Sequence, residues 1–158
     1  MKKSFVIAFA AAGAVLLGAT YSNAGSHAKA VSPEMAMVKD GAFAKSLTGS
    51  AGDAAKGKKT FANRKLGNCL ACHENSDLSS LPFHGEVGPS LDGVAGRYDE
   101  GQMRAILINS KTVLGEDTIM PSFYRLENGV RTMKKFKGKT ILNAEQVEDI
   151  LAYLQTLK

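Results

Sequence analysis

Apolar residues recur with helical spacing in three stretches of this 158-residue chain. The clearest is C-terminal, where Val147, Ile150, Leu151 and Leu154 stand at i, i+3, i+4 and i+7. That stripe is the face an amphipathic helix buries. Asn143 stands at the N-cap and Gln146 at the reciprocal capping-box position. Glu145, Glu148 and Asp149 near its start and Lys158 at its end suit the helix dipole. A second helix opens at Asp53, an N-cap residue after Gly52, and carries Ala54, Gly57 and Phe61 on one face. Lys56, Lys58, Lys59 and Arg64 take the other faces, and Gly67-Asn68 should end it. A glycine inside a helix costs about 1 kcal/mol relative to alanine, so Gly57 points to close approach by another helix. The third helix has Asp99 and Gln102 as its capping pair and Met103, Ile106 and Leu107 on its inner face, with Asn109-Ser110-Lys111 as its end.

Elsewhere the pattern is weaker. Pro33 is placed to start a short helix through Val38. Asn128-Gly129, between Leu126 and Val130, is a tight-turn dipeptide that suggests a small hairpin. Strand signal is otherwise nearly absent, so the reading is an all-α domain with long loops. Residues 52–158 form that domain, and residues 25–51, which lack any sustained period, form an N-terminal arm over it.

Residues 1–24 read as a secretory signal peptide. Lys2 and Lys3 are the basic start, Phe5 to Leu17 the apolar run, and Ser22-Asn23-Ala24 the small-residue cleavage site. The run is short for a bilayer span, which needs about 20 residues. Export and cleavage after Ala24 are therefore expected, with no membrane span in the mature chain. Removing Lys2 and Lys3 takes the formal charge from +5 to +3. That modest balance gives no sign of a nucleic-acid partner.

The chemistry lies between the first two helices, in Cys69-Leu70-Ala71-Cys72-His73. C-x-x-C-H is the attachment signature of a c-type haem. Each thiol adds across one porphyrin vinyl group, and the two-residue spacer lets both reach from one turn of backbone. His73 then lies under the iron as proximal ligand. A zinc site would need two further ligands, but the chain has only two Cys, and His27 and His84 make no matching pair. A thioredoxin-like pair gives no reason for the adjacent His, and a disulfide here would close too short a loop to stabilise much. Bacterial haem c is attached outside the cytoplasm, so the export signal agrees and places the protein in the periplasm.

Further along stands Gly88-Pro89-Ser90-Leu91. Pro89 has no N–H and a fixed φ, and its carbonyl is free to accept from the second ring nitrogen of His73. Pro89 and Leu91 are thus expected to support the haem pocket. For the opposite face of the iron the candidates are His84, Met103, Met120 and Met133. His84 follows His73 too closely to travel round the porphyrin edge easily. Met103 shares a helix face with Ile106 and Leu107, and Met133 runs straight into Lys134 and Lys135. Met120 precedes Pro121, which holds it in an extended conformation on a stiffened loop. Met120 is therefore the favoured sixth ligand. Met/His ligation fills both axial sites and favours electron transfer over oxygen activation. The basic run Arg131, Lys134, Lys135, Lys137 and Lys139 follows, and would steer an acidic partner if it lies near the distal haem face.

With these motifs and the two terminal helices, the stretch from Asp53 to Lys158 resembles a class I cytochrome c. That resemblance implies crossed terminal helices, with Gly57 and Phe61 against Ile150, Tyr153 and Leu154. Ser46-Leu47-Thr48-Gly49 with Gly52-Asp53, Met120-Pro121-Ser122-Phe123-Tyr124-Arg125, Gly138-Lys139-Thr140-Ile141-Leu142 and Gln146-Val147-Glu148-Asp149 resemble the SoxX family. These are monohaem subunits of SoxAX complexes. Ser50-Ala51 stands where the family often has Pro. The resemblance implies one covalent haem c on Cys69 and Cys72, axial His73 and Met120, and a SoxA-like cytochrome as heterodimer partner. It further implies a SoxYZ-like carrier, whose cysteine the complex conjugates to thiosulfate (L-cysteine S-thiosulfotransferase activity), and a downstream cytochrome c acceptor. No catalytic residue is expected on this chain. A free-standing periplasmic cytochrome c shuttle is the alternative, and a haem sensor or peroxidase would need an open iron site.

Overall fold

The computed structural model describes residues 29–158; the expected signal segment lies outside the described residues. Among the described residues four α-helices carry the fold: α1 (Ala54–Ala62), α2 (Val94–Arg97), α3 (Glu100–Leu114) and α4 (Ala144–Leu154). Short 3-10 turns cover Cys69–Ala71, Ser76–Leu78 and Lys134–Phe136. Among the described residues there is no strand, only an isolated bridge between Lys39 and Ala42.

The three long helices start where their caps stand. Asp53 accepts from the amides of Ala55 and Lys56 at 2.9 and 3.1 Å. Asp99–Gln102 and Asn143–Gln146 both form complete capping boxes. α1 and α4 then cross in close contact. A Cβ on Gly57 would lie 1.8 Å from the carbonyl oxygen of Asp149, and one on Gly52 would lie 2.1 Å from that of Glu148. Only glycine admits this approach. The Phe61 and Tyr153 rings meet edge-on at 5.5 Å, and the Asp53 amide donates to Asp149 Oδ1 at 2.7 Å. Val147, Ile150, Leu151 and Leu154 are all buried, each contributing about 1.5–3 kcal/mol.

Several boundaries differ from expectation. α1 stops at Ala62, before Gly67-Asn68. Asn63 turns the chain there, its side chain accepting from Lys65 N and its carbonyl from Leu66 N and Asn68 N. A short polar side chain competes with the helix for backbone groups in this way. Pro33 begins only a turn. Met35 and Met37 are exposed there, so a helix would have little apolar face to bury. The Asn128-Gly129 hairpin is absent; the chain only turns at Gly129, with Val130 97% exposed and so no cross-strand packing to hold a ladder. α3 does not end at Asn109-Ser110-Lys111 but continues to Leu114 through a non-helical Asn109 (φ −146°, ψ 81°).

The segment before α1 is stitched to the domain. Val31 N donates to the Leu47 carbonyl at 2.7 Å, and the Tyr124 hydroxyl donates to the Val31 carbonyl at 2.6 Å. Leu47 is fully buried, and its amide donates to Glu148 Oε1 at 2.9 Å. The same carboxylate holds Arg104 through Nε and Nη2, at 2.9 and 3.1 Å. Arg104 also donates to the Phe43 carbonyl at 3.0 Å and to Glu100. Burial opposes the guanidinium's charge, but the bonds to Glu148 and Glu100 outweigh it and raise its pKa. A paired buried charge of this kind is costly to break from one side.

Candidate haem site

A cavity of about 600 Å³ opens between the Cys69–His73 segment, the inner faces of α1, α3 and α4, and the Met120 loop. That volume falls within the 300–1,000 Å³ typical of cofactor sites. Phe61 of α1, Ile106 and Leu107 of α3, and Ile150 and Leu154 of α4 form its apolar walls. Cys69, Cys72, His73, Pro89, Leu91 and Met120 all line it, so residues spread over about a third of the chain converge on one space.

Local backbone sets the attachment segment. Asn68 adopts the left-handed conformation (φ 50°) and turns the chain into the 3-10 turn at Cys69–Ala71. The amides of Cys72 and His73 both donate to the Cys69 carbonyl, at 3.1 and 3.0 Å. Both thiols are free of any disulfide. Cys69 opens only partly to the cavity, and burial pushes its thiol up to about 12.

His73 is oriented from behind. Its Nδ1–H donates to the Pro89 carbonyl at 2.7 Å, which leaves Nε2 as the ring nitrogen available to ligate a metal. Gly88 N donates to the Cys72 carbonyl at 2.7 Å, and Leu91 N to that of Glu74 at 3.0 Å. Arg97 secures the far side of this loop by donating to the carbonyls of Ser90 and Asp92, both at 2.6 Å. Sequence reasoning missed Gly88 as a site residue. A Cβ there would lie 2.3 Å from His73 Cε1, so the imidazole rests on bare backbone. The glycine beside Pro89 was visible, but nothing local said which ring would lie over it.

The candidates for the opposite face separate. His84 does not line the cavity. Its Nδ1 accepts from Asn75 N at 3.3 Å and its Nε2–H donates to the Leu78 carbonyl at 3.1 Å, so both nitrogens are engaged. Met103, Met120 and Met133 all line it. Met103 is buried within the core, whereas Met133 is 61% exposed. Met120 is half-buried, and its carbonyl accepts from Ser110 Oγ at 2.7 Å. The charged residues of the lining are Arg64, Lys65 and Lys135, all cationic.

These residues fit haem c: two thiols at attachment spacing, an imidazole with a set tautomer, a thioether on a tethered loop, and a large apolar cavity. Among the described residues, no group of three His, Cys, Asp or Glu side chains could hold a metal ion. No helix among them is long and apolar enough to cross a membrane.

Comparison with known proteins agrees. The cytochrome c family profile matches residues 54–158. A chain of the crystal structure of SoxXA from P. pantotrophus is similar at 39% identity, with a TM-score of 0.75, over 82% of this chain and 98% of that one. No curated protein sequence matches this chain. The chain belongs to the cytochrome c family, as a SoxX-like electron-transfer member that carries covalent haem c.

Proposed function

We propose that this chain is the periplasmic electron outlet of a SoxXA-type complex, paired with a SoxA-like cytochrome. The observation that carries the reading is the 39% identity to a SoxXA chain over 98% of that chain's length. In this reading Cys69 and Cys72 would hold the haem covalently, and His73 and Met120 would be its proximal and distal ligands. Bound haem c supplies a one-electron couple.

The chain's own residues set what it does. The Pro89 carbonyl orients His73 and raises its basicity. The walls from α1, α3 and α4 offer a mostly apolar surface to the porphyrin. Met120, which lines the same cavity, would supply the second iron ligand and so leave small molecules no open place on the metal.

The same residues limit the chain when alone. Conjugating thiosulfate to a carrier cysteine removes two electrons, and a single one-electron couple does not match that. Cys69 and Cys72 are the chain's only thiols and are committed to attachment, so no cysteine remains to carry a sulfur intermediate. Were His73 and Met120 both to ligate the iron, substrate sulfur would have no place on it. The sulfur chemistry therefore sits on the SoxA-like partner, acting on a SoxYZ-like carrier, and a downstream cytochrome c takes the electrons.

Co-purification with a SoxA-like cytochrome and single-turnover reoxidation test this. The isolated chain should be reducible by small reductants yet leave thiosulfate and carrier unreacted. Adding the partner should start turnover, and Met120→Ala should slow reoxidation within the complex. Sustained conjugation by the purified chain would overturn the assignment; failure to pair with any such partner would favour a free-standing shuttle.

A further inference from the structure

Asn109 interrupts α3 beside the cavity, and several bonds between the helix and the Met120 loop gather around it. An unbroken helix commits each carbonyl to the amide four residues on. Here Leu107 O accepts from Phe123 N at 2.9 Å and Ile108 O from Tyr124 N at 3.4 Å. The Asn109 side-chain oxygen accepts from Ser122 Oγ and from Arg125 Nη1, both at 3.1 Å, and from Thr112 N at 3.4 Å. Its side-chain nitrogen donates to Thr112 Oγ1 at 2.6 Å. Ser110 Oγ donates to the Met120 carbonyl at 2.7 Å. Ser110 and Ser122 are both buried, so water cannot easily replace these partners.

We propose that Asn109 is the positioning residue for Met120: its break in α3 and its carboxamide fasten residues 120–125 to the helix and hold the thioether over the haem. The proposal rests on the reading of Met120 as distal ligand. Asn109 itself touches no reacting atom. Its action is to shift the loop's closed-to-open equilibrium, since opening leaves Ser122 and Arg125 without the Asn109 acceptor.

The test uses the ferric holoprotein and imidazole as a competing ligand. Loss of the sulfur-to-iron charge-transfer band reports displacement of Met120. Asn109→Ala should tighten apparent imidazole binding about tenfold, the scale expected for losing the half-buried acceptor that Ser122 and Arg125 share. Asn109→Asp keeps an acceptor oxygen and should restore affinity to near the wild-type value, which a nonspecific loss of stability would not do. Should Asn109→Ala fail to accumulate, Ser110→Ala removes the bond to the Met120 carbonyl and the 3.3 Å contact with Ser122 Oγ, and should move imidazole binding the same way. A band that depends on Met120 but an imidazole affinity indifferent to both variants would overturn the proposal alone. A band that survives Met120→Ala would overturn the ligand reading, and the proposal with it.

Discussion

The His73 imidazole lies against the Gly88 backbone, where a Cβ would come within 2.3 Å of Cε1 while Nδ1–H holds the Pro89 carbonyl at 2.7 Å. The ring cannot retreat from an added methyl without stretching that bond. Gly88→Ala should therefore destabilise the holoprotein by about 1–3 kcal/mol, the range for overpacking. It should also shift the reduction potential, because the imidazole's hydrogen bond tunes it. Denaturant unfolding and a redox titration check this; an unchanged potential would show that the ring tolerates the methyl.

Gly57→Ala separates two opposed effects. Alanine gains about 1 kcal/mol of helix propensity. Its Cβ would meet the Asp149 carbonyl oxygen at 1.8 Å, however, and a backbone group in α4 cannot swing aside. We expect net destabilisation, at or above the upper end of the usual ~1–3 kcal/mol overpacking range. A variant with a raised melting temperature would mean that α1 and α4 separate easily.

Asp77 should contribute to acid sensitivity. A hydrogen bond from Lys58 and then one from Tyr153 lower its pKa below the ordinary 3.8. The unfolded chain therefore takes up this proton at higher pH than the folded one. The stabilisation is present above pH 3.8 and is lost as pH falls through the lower folded value. The carboxylate is 44% exposed, so solvent screening keeps the effect under about 1 kcal/mol. Asp77→Asn should lower stability at neutral pH and flatten the acid limb of a stability–pH profile; parallel profiles would refute the linkage.

The cationic lining makes a kinetic prediction. Lys135 reaches the cavity and Lys134 stands beside it, both exposed. Neutralising the pair should slow electron transfer with an acidic partner at low ionic strength. The difference should shrink near 0.1 M salt, where screening acts within about 10 Å. Stopped-flow rates insensitive to both charge and salt would leave these lysines as a solvated surface.

What could be read from the sequence was what neighbouring residues decide among themselves. Asp53, Asp99 and Asn143 cap the helices they precede because capping needs only a side chain and amides two or three residues on. Attachment spacing in Cys69–His73, and a proline carbonyl with no competing N–H beside it, are local in the same sense. Even the α1–α4 contact left a local trace, since a glycine in a helix asks for a reason.

Tertiary structure alone decided the rest. The Leu47 amide and Glu148 carboxylate are 101 residues apart in sequence, and Arg104 and Glu148 are 44 apart. No periodicity records such a pairing, because a buried charge is satisfied by whatever the fold brings to it. Asn109 reads as a helix end for the same reason. Its side chain prefers to bond backbone outside a helix, and only the packed loop at 122–125 supplies the partners that let α3 continue past it. Gly88 likewise looked like an ordinary loop glycine until the fold laid His73 across it. Local rules set where elements begin, whereas the acceptors that end, bend or anchor them come from chain far away in sequence, and only folding brings those groups together.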